Sequence, residues 1–125
     1  MAEFDKTLGI ATAGLQAQNI RLRVIAENIA NADTPGYKAK DLEPFSEAYA
    51  RSERTAMDAG ASGFSQRAFH AERIKTAGVA SPDGNTVSLE DQMTRSTEAV
   101  RQHDTALTVY SKALSMLRAT LGGRG

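Results

Sequence analysis

Apolar residues recur along the first thirty positions in alternating steps of four and three. The series is Phe4, Leu8, Ala11, Leu15, Leu22, Ile25 and Ile29, with Gln18 as its polar member. That is a heptad seam sustained for nearly four repeats, and it predicts an amphipathic helix over 3–31. Thr12, Gln16, Asn19, Arg23 and Glu27 fall off the stripe. Gly9 and Gly14 each weaken such a helix by about 1 kcal/mol in isolation, so it depends on a partner. The run Asn31-Ala-Asp-Thr-Pro-Gly-Tyr37 ends it. Pro35 disfavours helix at Thr34, and Pro35-Gly36 suits the centre of a type II turn.

The last third repeats the pattern. Leu89, Met93, Ser96, Val100, His103, Leu107, Tyr110, Leu114, Leu117 and Leu121 again alternate in fours and threes, predicting a second helix over 88–121. Val109, Ala113 and Met116 broaden its stripe. Ser88-Leu-Glu-Asp91 reads as a capping box with Asp in place of the usual Glu. Pro82-Asp-Gly-Asn85 before it reads as a turn, and Gly122-Gly-Arg-Gly125 after it as a helix stop and a loose end.

The middle, 38–87, is rich in Gly, Ala, Ser and charge, with few large apolar residues. Residues 44–57 read as a short helix, 69–80 as a short strand or extended arm, and 58–63 as a flexible linker. The expected fold is mostly α. Two long terminal helices pack as an antiparallel coiled-coil-like hairpin, with an irregular middle arm of a short helix, short strands or both. The chain divides into 1–37, 38–87 and 88–125, together one structural unit. At 1.5 Å per residue the first helix runs to roughly 43 Å. Each seam exceeds what one short partner covers, so lateral packing against other chains is expected.

Composition narrows the partners. Lys and Arg number 15 and Asp and Glu number 15, so the net charge is zero. Nucleic-acid binding needs a positive field that this chain lacks. Low self-repulsion suits packing against copies and relatives. There are no cysteines, which removes disulfides, thiolate metal sites and cysteine nucleophiles. Met1-Ala-Glu-Phe-Asp-Lys6 places acids where a secretory signal is basic, and no apolar run follows, so export without a cleaved signal peptide is expected.

Candidate chemistry is sparse. His103 sits on the second seam, where it reads as a polar register-setting position or a proton-switched one. His70 lies in the arm, and no carboxylate stands at ligand spacing beside either histidine. The acids Glu3, Asp5, Glu90 and Asp91 cluster at helix starts, where the macrodipole favours them. No catalytic, metal or cofactor constellation emerges, and the chain does not read as an enzyme. The exception to this blandness is Asn28-Ile-Ala-Asn-Ala-Asp-Thr-Pro-Gly-Tyr37. Its two asparagine amides donate and accept at once, and Tyr37 combines an apolar ring with a polar tip.

This stretch, with Gly14-Leu-Gln-Ala-Gln18 and Leu22-Arg-Val-Ile-Ala-Glu27 before it, resembles the N-terminal signature of flagellar rod and hook proteins. That family ends its first helix in Asn-x-Ala-Asn-x-x-Thr-x-Gly-Tyr. Asn28, Ala30, Asn31, Thr34, Gly36 and Tyr37 occupy those positions, and Pro35 completes the turn. The larger members carry an extra domain between their helices for which 125 residues leave no room. The FlgC type usually inserts residues between its Ala-Asn and its Tyr, and none are inserted here. Asp83-Gly-Asn-Thr-Val-Ser-Leu-Glu-Asp-Gln-Met93 is similar to the corresponding stretch of another small proximal-rod type. Residues 50–80 carry no resemblance.

The resemblance implies a structural subunit of the proximal rod, exported by the flagellar type III apparatus and built into the periplasm-spanning basal-body rod. The implied partners are copies of itself, rod proteins of the FlgC and FlgF types, the FliE adapter and the MS-ring protein. The reading from another class is a small cytoplasmic helical module or export chaperone that sequesters a partner helix.

Overall fold

The computed structural model describes residues 2–60 and 69–122. Helix α1 spans Ala2–Ala30, strand β1 Lys40–Leu42, helix α2 Phe45–Asp58, strand β2 Arg73–Lys75 and helix α3 Leu89–Gly122. Both long helices stand where periodicity placed them, and the short one falls on the expected 44–57 stretch. Part of the expected 58–63 linker, from residue 61 on, and the last residues of the expected C-terminal loose end lie outside the described residues.

α1 and α3 run antiparallel. A Cβ built on Gly14 lies 3.4 Å from the Ala106 Cβ, and Asn28 meets Gln92 two heptads further along. Both pairs keep one register. The shared seam is made of small residues: Ala11, Ala13 and Ala17 on α1 face Ala99 and Ala113 on α3, with Val24 and Ile25 nearer the turn. Small side chains let the two backbones approach, and Gly14 has no Cβ to hold them apart.

The seam of α3 is therefore not the expected one. Its inward positions are Gln92, Ala99, Ala106 and Ala113, a strict seven-residue series. Met93, Val100 and Leu107 each come one residue later, about 100° around the helix. They are 67%, 47% and 47% exposed, and Leu89 and Leu121 are exposed as well. His103, Tyr110, Leu114 and Leu117 are half-buried. On α1, Ala11 and Ile25 are buried with Gln18, Phe4, Leu8, Leu15 and Leu22 are half-buried, and Ile29 is exposed. Close backbone approach selects the small residues for the intramolecular face and leaves the large ones outside. An alanine seam buries little area, and at roughly 25 cal/mol per Å² it stabilises the hairpin only weakly.

The middle folds back onto the helices at one end. β1 and β2 pair antiparallel, Asp41 opposite Ile74. Bonds from Thr76 N to Ala39 O (3.0 Å) and from Glu43 N to Glu72 O (2.8 Å) extend the ladder at both sides. α2 starts at Pro44, which has no N–H to leave unpaired. Ser88 caps α3: its hydroxyl accepts from Asp91 N (3.3 Å) and its carbonyl from Gln92 N (2.9 Å). The expected box is only half closed, because the shorter Asp91 carboxylate turns to Arg95 at 2.7 Å.

Candidate assembly site

Asn28 sits at the last turn of α1 with its side chain fully buried. Its Nδ2 donates to the Lys40 carbonyl (2.7 Å) and to Gln92 Oε1 (2.9 Å). Its Oδ1 accepts from the Tyr37 hydroxyl (3.1 Å) and from Lys40 N (3.1 Å). Every hydrogen-bonding position of the amide is filled, from three separate elements. Burial raises the Tyr37 pKa, and the nearby Glu27 charge adds to the effect, so the phenol stays a donor.

Asn31 closes the helix end. Its Nδ2 donates to the Glu27 carbonyl (2.8 Å) and its Oδ1 accepts from the Thr34 hydroxyl (3.1 Å). Thr34, Pro35 and Gly36 are exposed, as is Ala30. Gly36 takes a φ of 74° and Gly84 a φ of 86°, a region that L side chains rarely adopt. A Cβ at Gly84 would lie 3.4 Å from the Gly36 Cα, so the two turns press together at their glycines.

The signature turn is thereby stapled to the stretch before α3. Asn85 Nδ2 donates to the Asn31 carbonyl (2.8 Å) and the Thr34 carbonyl (2.7 Å). Gly36 N donates to Asp83 O (2.9 Å), and Thr86 N to Tyr37 O (3.0 Å). Lys38 Nζ donates to Gly84 O (2.6 Å). Hydrogen bonds from Asn85 N and the Ser81 hydroxyl hold the Asp83 carboxyl below its ordinary pKa. The two stretches that carry the family resemblance, 28–37 and 83–93, thus form one structure.

A second knot lies beside it. Buried Asp41 on β1 accepts from Arg21 of α1 at 3.0 and 3.1 Å and from Arg95 of α3. One carboxylate therefore ties the arm to both helices. Glu43, also buried, pairs with Arg51 of α2 and accepts from Glu72 N at 2.8 Å. The Arg51 hydrogen bond holds the Glu43 carboxyl below the usual range, although burial pushes it up. Asn85, Asp41 and Glu43 carry no sequence periodicity, and Gln92 shares its seven-residue series only with alanines. The only signal for Asn85 is its place in the Asp83-Gly-Asn turn.

Between α1, α3 and the arm runs an open groove of about 940 Å³. Its floor is Ala11, Gly14, Ala17 and Ala106, and Phe45 and Ile74 stand over it from the arm. Gln18 lines it and is buried, and its Oε1 has no hydrogen-bond partner among the described residues. His103 lies 3.9 Å from Asp104, and His70 offers its carbonyl to Arg51. Among the described residues no cluster of His, Cys, Asp and Glu is arranged to hold a metal ion. No helix among them is long and apolar enough to cross a membrane.

Residues 8–38, which are most of α1 and the signature turn, match the family described as flagella basal body rod protein. Over nearly its whole length the chain is similar to flagellar basal body rod proteins FlgB. It is 30% identical to that of Aeromonas hydrophila, over 96% of each chain. It is 29% identical to that of Salmonella typhimurium over 95% of each. With that of Agrobacterium fabrum it shares 31% identity over 82% of this chain and 83% of the other. A FlgB relative at 30% identity over 96% of each chain, added to a signature turn whose amides are all engaged, establishes that the chain belongs to the FlgB family of flagellar basal body rod proteins.

Proposed function

We propose that this chain polymerises through its two terminal helices into the proximal rod of the flagellar basal body, where it links the MS ring to the rest of the rod. Family membership makes it a structural rod subunit rather than an enzyme. The observation that supports polymerisation is the outer face of α3. Leu89, Met93, Val100, Leu107 and Leu121 stand exposed on a helix whose inner face is already occupied by α1. Large apolar residues repeated along one helix face mark an interaction surface.

In this reading 1–37 and 88–125 build the rod and 38–87 forms an outer arm. Asn28, Ala30, Asn31, Thr34, Pro35, Gly36 and Tyr37 form the assembly signature. The buried amides set its shape, and the exposed Ala30 and Thr34–Gly36 edge meets neighbours. Those neighbours are copies of the chain, rod proteins of the FlgC and FlgF types, the FliE adapter and the MS-ring protein. The chain reaches them through the type III export apparatus.

The test is a strain carrying Leu107→Asp, compared with one carrying Arg54→Gln, a charge change at an exposed position of α2 in the arm. An unpaired carboxylate buried at an interface costs several kcal/mol. Loss of motility and of rods is expected for Leu107→Asp alone. Normal swimming by that strain would overturn the reading.

A further inference from the structure

We infer that the exposed α3 ridge of one copy seats in the groove between α1, α3 and the arm of a second copy. The inference rests on the rod reading and adds which two faces meet. Ridge and groove lie on opposite sides of the same helix. Met93 stands two positions from Arg95, Val100 two from Gln102 and Leu107 two from Val109, about 200° of helical turn in each case. Met93, Val100 and Leu107 form the ridge, and Arg95, Gln102 and Val109 line the groove. A face and its complement on opposite sides of one subunit cannot close a two-fold dimer. They stack head to tail, and that geometry generates rings or open helical filaments.

The dimensions agree. The groove wall from Arg95 to Val109 measures about 21 Å, which takes the Met93–Leu107 part of the ridge. The floor of small residues leaves depth for large ones. Charges agree as well. Of the charges that line the groove, Asp41, Glu43 and Glu98 are already paired with arginines, whereas Lys75 and Arg101 have no ion-pair partner among the described residues. Glu90 and the exposed Asp104 flank the ridge. A copy seated by its ridge brings these acids to the two unpaired bases of the groove.

The chain has no cysteine of its own, which makes a clean test available. Val100→Cys marks the ridge and Thr105→Cys the groove, both at exposed positions that the fold does not need. Basal bodies purified from strains with each single variant, and with both, are treated with a short bifunctional maleimide. The double variant is expected to give a ladder of multimers of this chain, and each single variant only monomer. Dimers from either single variant would mean like faces meet, and would overturn the inference. So would cross-links solely to a different rod protein, or no cross-link at all. A chain that co-purifies with basal bodies but gives no ladder refutes the contact and leaves the rod reading standing. Absence of the unsubstituted parent chain from purified rods refutes both.

Discussion

The Asn28 amide donates to Gln92 Oε1 at 2.9 Å, 64 residues away in sequence, with both side chains at 0% exposure. This polar pair fixes the register of two helices whose alanine seam discriminates poorly between registers. A heptad slip would strand the buried Gln92 amide, at about 1–3 kcal/mol, and take one of its acceptors from Asn28. Asn28→Ala removes four hydrogen bonds and strands Gln92. The expected outcome is a large loss of helix signal at 222 nm in a stabilising osmolyte, and loss of swimming. Unchanged helix content would contradict the register role.

Among the described residues, Asp41 alone ties the arm by its side chain to both helices. Removing one partner of a buried ion pair typically costs 3–5 kcal/mol. Arg95 keeps 27% of its side chain exposed, so on the order of 2–3 kcal/mol is expected for Asp41→Ala. Proteolysis should then cut the arm much faster while α1 and α3 remain protected. Equal cleavage rates in variant and parent would refute this.

Gly14 makes a prediction of unusual sign. Its added Cβ would meet Ala106 at ordinary van der Waals distance. Gly14→Ala therefore keeps the packing and gains up to about 1 kcal/mol of helix propensity. Gly14→Leu forces the helices apart and should be destabilising by more than that gain. Thermal melts of the two variants in osmolyte should move in opposite directions, and a shift in the same direction would count against the close approach.

Acid should loosen the arm before the hairpin. The Glu43 pKa is lower in the folded chain than in the unfolded one. Its contribution is therefore complete above the ordinary value of about 4.3 and is lost as pH falls through the folded value. Protection of the Glu72 amide, which donates to Glu43, should fall on acidification. In Glu43→Gln that protection should be weaker at neutral pH and nearly independent of pH. Identical pH profiles would argue against the Arg51–Glu43 pair as the cause.

The long helices were legible because their apolar spacing runs for many turns. The signature turn was legible because Asn28 to Tyr37 concentrates amides, Pro and Gly in ten residues. Which face of α3 turns inward was not legible. Leu and Met dominate any hydrophobicity pattern, whereas Ala99, Ala106 and Ala113 win the interior through backbone proximity. β1 was missed because three residues are too few to show an alternation, whereas β2 lies inside the 69–80 stretch read as a short strand or extended arm. The roles of Gln92 and Asn85 depend on partners more than 50 residues away, and Asp41 joins Arg21, 20 residues back, to Arg95, 54 residues on.

The central claim is that neighbouring chains cover the outer face of α3 in the rod. A density map of isolated basal bodies at side-chain detail tests it directly. The account predicts Leu89, Met93, Val100, Leu107 and Leu121 packed against other chains along the whole helix, with Asn28 and Gln92 still paired inside each subunit. A map in which that face looks into solvent, while the helices are held by some other surface, would contradict it.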